Sequence, residues 1–414
     1  MRRLVDRLQR RGETVRHQER LWKGSFFAIL LINFSVFLSM YLLLTTLPFF
    51  VADMGGSQSD AGIVLGIFTL SALLVRFFVG AALDRYGRKR IFMSSSLMFV
   101  LIHLAYLTSD SILFLYGLRV IHGMFWGVLI TATSTMATDI IPSSRRGEGI
   151  GYYGLAPTIG MAVGPALGLF MVRNFPFSAL FLAAGVASLL GFILGSLLPE
   201  THRPQQGVER KNVLKDLIEP HTIPFASNLF FFVLTYGGII SFMAIYAVEI
   251  GLENAGLFFI LYAVILLLTR TVVGRLFDAR GAQTVLLPGF ASTIMALLLI
   301  GGFPSLWGLF AGAILFAVGF GSIQPTLLAL TIQSAPPQRR GAANATYFAS
   351  FDVGIAVGSI LLGMIADAVG YRMMYLISSV FILFAFIHYF LILRRYVFSG
   401  GSARKEANEA SANQ

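Results

Sequence analysis

The amino-acid sequence predicts an all-α membrane protein, with twelve transmembrane helices in two parallel six-helix repeats. Three observations carry this. Hydrophobic residues make up 56% and charged residues 12% of the 414 positions, and the mean hydropathy of +0.77 would leave a soluble globule with far too much exposed apolar surface. About twelve apolar stretches each approach the ~20 residues that cross a bilayer as a helix. Finally, the segment from Gly80 to Arg90 recurs in eroded form from Gly274 to Gly281, with Asp84 and Asp278 at an offset of 278 − 84 = 194. The same offset carries Arg76 onto Arg270, Gly127 onto Gly321, the loop from Pro142 to Gly147 onto that from Pro336 to Gly341, and Gly160 and Gly164 onto Gly354 and Gly358.

In order along the chain, residues 1–24 form a basic N-terminus with eight Lys or Arg. A first bundle over 25–198 holds spans at 25–51, 61–83, 91–108, 112–138, 149–172 and 178–198. Residues 199–224 are a polar linker, whose stretch from Val208 to Ile218 suits a short amphipathic surface helix. A second bundle over 225–393 holds spans at 225–248, 255–277, 284–303, 306–332, 343–366 and 373–393, and residues 394–414 are a polar tail. Helices rather than a barrel follow because the runs are continuously apolar instead of alternating, and every backbone polar group must be satisfied within the bilayer. Six spans per half is an even number, so the second copy enters with the same orientation as the first.

The formal charge of +11 reports orientation, not a nucleic-acid partner. Basic residues crowd the N-terminus, the loop at 84–90, the linker and the tail, whereas the other side holds Arg173 and Arg372. By the positive-inside rule both termini and the linker are expected in the cytoplasm of a multi-pass inner or plasma membrane protein, and the absence of cysteine is compatible with a bacterial one. A cleavable signal peptide is not expected, because the first apolar stretch is too long and follows a long charged lead. The lack of cysteine excludes disulfide and thiol chemistry.

Between the second and third spans, Gly80, Asp84, Arg85, Gly87, Arg88 and Lys89 form a pattern that resembles the signature loop of the major facilitator superfamily. Gly80 and Gly87 permit close helix approach and a tight turn, and Asp84 can face an electropositive helix N-terminus. The resemblance implies a conformational latch. Asp84 would meet the start of the eleventh span near Ala342 to Asn344, and Arg88 would meet Asp139 at the end of the fourth. The second copy keeps Asp278 but has Ala282, Gln283 and Thr284 for the basic run, so its latch is expected to be weaker. In the fifth span Gly160, Gly164, Pro165 and Gly168 form a ridge of small residues kinked by proline. This resembles the Gly-Pro motif of the twelve-helix drug:proton antiporter branch, although Leu169 stands where relatives often have a second glycine.

Two intramembrane charges stand out. Arg119, about 10 Å into the fourth span, is either a fixed brace hydrogen-bonded to the first helix through Asn33, or a group that tunes a protonation site or binds substrate. Asp352, about 14 Å into the eleventh span, is either a proton-coupling group or a structural acid paired across the bundle. His103 and His388 read as core histidines, and Asp53 and Glu249 as solvated helix ends. By family analogy the cavity lies between spans one, four, seven and ten, with Asn33, Tyr41, Phe125, Trp126, Tyr236, Tyr246, Phe320 and Gln324 as its candidate lining. Such an aromatic wall suits a lipophilic or amphipathic solute.

The resemblance implies a secondary active transporter, with proton-coupled efflux of a small drug-like or metabolite molecule as the leading expectation. Export or import of a specific sugar, amino-acid derivative or metal chelator, and a lipid translocator or sensor on the same fold, are the alternatives. The expected partners are the solute, protons and lipid, and the expected working unit is a monomer. No phosphate-binding loop, zinc-ligand spacing or Gly-x-Ser-x-Gly elbow is present, so neither an enzyme, a cofactor nor a metal is expected.

Overall fold

The computed structural model describes residues 21–142, 145–201, 218–252, 255–336 and 339–393. Its first half consists of α1 (Gly24–Leu44), α2 (Gln58–Tyr86), α3 (Arg88–Ala105), α4 (Ile112–Ile140), α5 (Arg146–Asn174) and α6 (Phe177–Leu197). A short helix, Leu47–Asp53, prolongs α1 beyond Thr45 and Thr46. The second half consists of α7 (Ile223–Glu249), α8 (Gly256–Arg280), α9 (Gln283–Gly302), α10 (Leu306–Ser334) and a continuous helical run, Arg340–His388. That run is 49 residues long, about 74 Å at 1.5 Å per residue and more than twice the ~30 Å of hydrocarbon. Gly370 breaks it with φ 80° and ψ 164°, and it is two crossing helices, α11 (340–369) and α12 (371–388). Twelve crossings result among the described residues, as the hydropathy pattern predicts. The amphipathic stretch expected from Val208 lies, apart from Ile218, outside the described residues, as do most of the basic N-terminus and the tail.

Local chemistry sets the helix ends. Ser57 accepts a hydrogen bond from the Asp60 backbone N–H while Asp60 accepts one from the Ser57 N–H, a capping box that starts α2. Gly87 joins α2 to α3 with φ 90°, and Gly281, its counterpart 194 residues on, joins α8 to α9 with φ 80°. A side chain at either position would strain the turn.

The start of α1, the end of α6, the start of α7 and the end of α12 share one side of the bundle, termed the linker face below; the opposite side is the far face. Within each half the helices pack in the same way, α1 against α5 and α6 in the first and α7 against α11 and α12 in the second. The halves meet along two seams, α2 with α11 and α5 with α8. Both seams are tight toward the far face. A Cβ on Gly66 would lie 3.0 Å from the Ala356 carbonyl oxygen, one on Gly363 2.8 Å from that of Gln58, and one on Gly256 2.8 Å from the Ala166 Cα. Asp367, at the far end of α11, closes the first seam by accepting the backbone N–H groups of Gln58 and Ser59 at 2.8 Å each. A carboxylate of one half thus caps a helix of the other.

The ridge on α5 packs on α1. A Cβ on Gly160 would sit 3.2 Å from Phe37 Cβ, on Gly164 2.5 Å from Tyr41 Cβ, and on Gly168 2.9 Å from the Leu42 oxygen. Pro157 and Pro165 both lie inside α5, which continues as one helix through them. A Gly164→Val substitution should therefore force α1 and α5 apart and cost about 1–3 kcal/mol, read as a lower thermal unfolding midpoint of the purified protein. Gly117→Ala, at a site with nothing within 4 Å, should be neutral or slightly stabilising.

Candidate transport cavity

Between the halves lies a cavity of about 570 Å³, within the range of small-molecule sites. Its walls come from α1, α2, α4 and α5 of the first half and α7, α8, α10 and α11 of the second. Ser134, Thr135 and Asn344, near the linker-face ends of α4 and α11, line its mouth. Toward the far face the space narrows to about 10 Å³ among Tyr41, Pro165, Tyr236, Tyr262 and their neighbours. There the Tyr236 hydroxyl reaches the Met161 sulfur at 3.5 Å, one half touching the other. The cavity therefore opens at the linker face and is closed beyond its centre.

Aromatic rings dominate the wall. Phe37 meets Trp126 edge-on at 5.1 Å between centroids, and Tyr236 lies 4.4 Å from Phe320. Of the sequence candidates, Tyr41, Trp126, Tyr236, Phe320 and Gln324 line the cavity. Three do not. Asn33 is fully buried and donates to the Tyr153 carbonyl at 2.9 Å. Tyr246 is buried against Tyr375, its hydroxyl donating to the Ile300 carbonyl at 3.0 Å. Phe125 packs on the core beside the cavity. Helical periodicity places such residues on an interior face without saying whether another helix or open space lies opposite.

Among the described residues, two arginines and one acid line the cavity: Arg76 on α2, Arg270 on α8 and Asp352 on α11. Arg76 and Asp352 form an ion pair that joins the two halves. Asp352 thus has its partner across the bundle. Arg270 donates to the amide oxygen of Gln324 at 3.3 Å. The two arginines escape a reading confined to motifs, although the 194-residue repeat marks them as one position occurring twice.

Arg119 does not reach the cavity, and its partner is not Asn33. It is 1% exposed, with Nε donating to the Val64 carbonyl at 3.0 Å, Nη1 near the Tyr106 hydroxyl and His122 Nδ1 at 3.4 Å each, and its guanidinium 4.1 Å from the Phe68 ring centroid. It braces α4 to α2 rather than to α1. His103, buried beside this cluster, bonds the Phe99 carbonyl at 2.7 Å, and His388 contacts Ser227 and Asn228. Asp53 and Glu249 are exposed, as expected of helix ends.

On the linker face Arg88 and Asp139 form an ion pair between α3 and α4, while Lys89 donates to the Ser196 carbonyl at 2.8 Å. Glu200, unforeseen from the sequence, accepts the backbone N–H groups of Arg88 and Lys89 and so caps α3. Arg85 lies over the Tyr86 ring. The side chain of Asp84 lies outside the described residues. Gly80 meets nothing within 4 Å, contrary to the close approach expected of it, because the halves are splayed where α2 ends. Asp278 is exposed. In the second half, Arg339 pairs with Glu219, which also bonds His221 Nδ1 at 2.7 Å. The Glu219 backbone N–H donates to Thr346 Oγ1 at 3.0 Å, fastening the end of the linker to α11.

Two six-helix halves around a central cavity with one closed end are the architecture of an alternating-access membrane transporter. Residues 29–255 and 225–414 match the Major Facilitator Superfamily, and the chain belongs to that family, whose members are transporters and not enzymes. It is 25% identical over 398 residues to the staphylopine export protein of Staphylococcus aureus, covering 86% of this chain and 95% of that protein. It is 30% identical over 223 residues to multidrug resistance protein 2 of Bacillus subtilis, covering 51% and 55% respectively. A crystal structure of the nucleoside transporter NupG superposes with a TM-score of 0.73 at 14% identity, covering 88% of this chain and 98% of that one. At that identity the likeness is one of fold.

The Arg339 guanidinium, followed by His221, pulls the Glu219 carboxyl down to about 2 from its ordinary 4.5. A lowered folded-state value stabilises the protein fully above the unfolded value, and the gain disappears as pH falls toward the folded one. Thermal midpoints of wild type and Glu219→Gln should therefore differ at pH 7, keep that difference down to about pH 4.5, and converge as pH falls toward about 2.

Proposed function

We propose that the protein exports a small amphipathic organic molecule from the cytoplasm by alternating access, with proton movement coupled through the Arg76 and Asp352 pair. The observation that carries this reading is the ion pair itself, because it joins the two halves inside the solute cavity. Protonating Asp352 removes its charge and with it the attraction to Arg76. One titration then affects both the grip between the halves and the polarity of the chamber.

The basic linker face is the cytoplasmic side, so the cavity is open inward and the seams close the outer side. The Arg88 and Asp139 pair belongs to a latch that, with Asp84, braces the opposite, outward-open state. The small-residue ridge on α5, the aromatic wall, and likeness to a multidrug resistance protein and an export protein support efflux. A single dedicated solute is the second reading, favoured by the longer match to the staphylopine export protein. A monomer suffices for either.

In everted vesicles, the Asp352→Asn variant should still equilibrate solute across the membrane but lose accumulation driven by an imposed proton gradient. Unchanged proton-driven accumulation would remove Asp352 from the coupling. Arg88→Gln should slow transport several-fold while reaching the membrane in normal amount; full transport by this variant would dismiss the latch.

A further inference from the structure

We propose that the solute carries a negative charge and that Arg270 receives it. This rests on the cavity being the solute site, and it goes further by naming the charge of the cargo and the side chain that reads it.

Among the described residues, the chamber is lined by two guanidinium groups and one carboxylate. The carboxylate is taken, since Asp352 pairs with Arg76. That leaves Arg270, ten residues before the end of α8 at Arg280 and so about 15 Å from the linker face. A guanidinium has five N–H donors and strongly favours an anionic acceptor. The bond found for it is to the neutral amide oxygen of Gln324, at 3.3 Å. The side chain is exposed to the chamber.

The internal repeat shows why the imbalance exists. Arg76 and Arg270 are equivalent, 270 − 76 = 194, and a symmetric protein would give each a carboxylate from the other half. The counterpart of Asp352 is residue 352 − 194 = 158, which is Thr158. Thr158 lines the same cavity, but its hydroxyl is turned back to the Gly154 carbonyl at 3.2 Å. The second arginine has kept its place while the matching acid is a neutral hydroxyl. A charged group at membrane depth without an ionic partner is costly and marks a functional site.

A bound organic anion supplies the missing charge, and the rings of Trp126, Phe320 and Tyr236 receive its apolar body. A cationic solute, by contrast, would have to displace Arg76 from Asp352 while facing Arg270 across the chamber. Carboxylate, sulfonate and phosphate groups share the acceptor geometry that the guanidinium fork requires.

Three isosteric probes separate the possibilities: 2-naphthoate, 2-naphthamide and 2-naphthylmethylammonium, titrated into the purified full-length protein in detergent and followed by thermal stabilisation. The naphthoate should bind at least about tenfold more tightly than the amide, with the ammonium weakest. Arg270→Gln should bring naphthoate down to the affinity of naphthamide, and the naphthamide binding that this variant retains shows that it is folded; Arg270→Lys should keep a preference for the anion. Equal binding of naphthoate and naphthamide to wild type, tighter binding of the ammonium, or an anion preference that survives in Arg270→Gln overturns the inference while leaving the cavity reading intact. Absence of binding by all three defeats the cavity reading and the inference with it.

Discussion

The two halves are held together where small residues let helix backbones touch, and the position of those contacts decides the rest. Inside hydrocarbon there is no hydrophobic drive to bring one helix to another, so association depends on close packing and a few polar contacts. Gly62, Gly66 and Gly363 bring α2 against α11, and Gly256 brings α8 against Ala166 of α5. All lie in the part of the bundle nearer the far face. At the other ends of α2 and α8, Gly80 and Gly274 meet nothing within 4 Å. The same helices that close one side therefore diverge toward the other, and the wedge between them is the cavity. Asp367 adds a charge-assisted cap to one seam, tying its carboxylate to two backbone N–H groups of the opposite half.

Because Arg76 and Arg270 ride on those two diverging helices, the seams also decide where positive charge enters the chamber. Duplication provides the frame, and departures from it provide the chemistry. Asp352 has Thr158 as its repeat counterpart, so among the described residues one arginine is paired across the halves and its twin is not. On the linker face, the Arg88 and Asp139 pair of the first half falls on Ala282 and Gln333 in the second. The second half instead uses Arg339, the repeat of Arg145, to hold Glu219. Arg145 turns to Glu148 three residues on. The same arginine thus serves a local contact in one copy and a long-range one in the other.

Legibility from sequence followed the range of the interaction. The Gly87 turn, the Arg88 and Asp139 pair and the α5 ridge were all readable, because short spacing or a familiar motif specifies them. Residues whose meaning depends on a facing helix were not. Asn33 and Tyr246 sit on interior faces as expected but meet protein instead of the cavity. Arg119 is buried as expected, yet Val64, Tyr106 and His122 satisfy it in place of Asn33. Glu200 and Asp367 cap helices distant in the chain, and nothing in the local pattern around either predicts that.

The sequence by itself determined the number of crossings, their parallel duplication and two of the intramembrane charges, Arg119 and Asp352. Hydrocarbon thickness sets the length of an apolar helix, and a duplication leaves a constant register. Only the tertiary structure decided which charges meet, which aromatic rings face space, and on which side the chamber opens. Those depend on the separation between helices that are remote in the chain, and hydropathy carries no term for that distance.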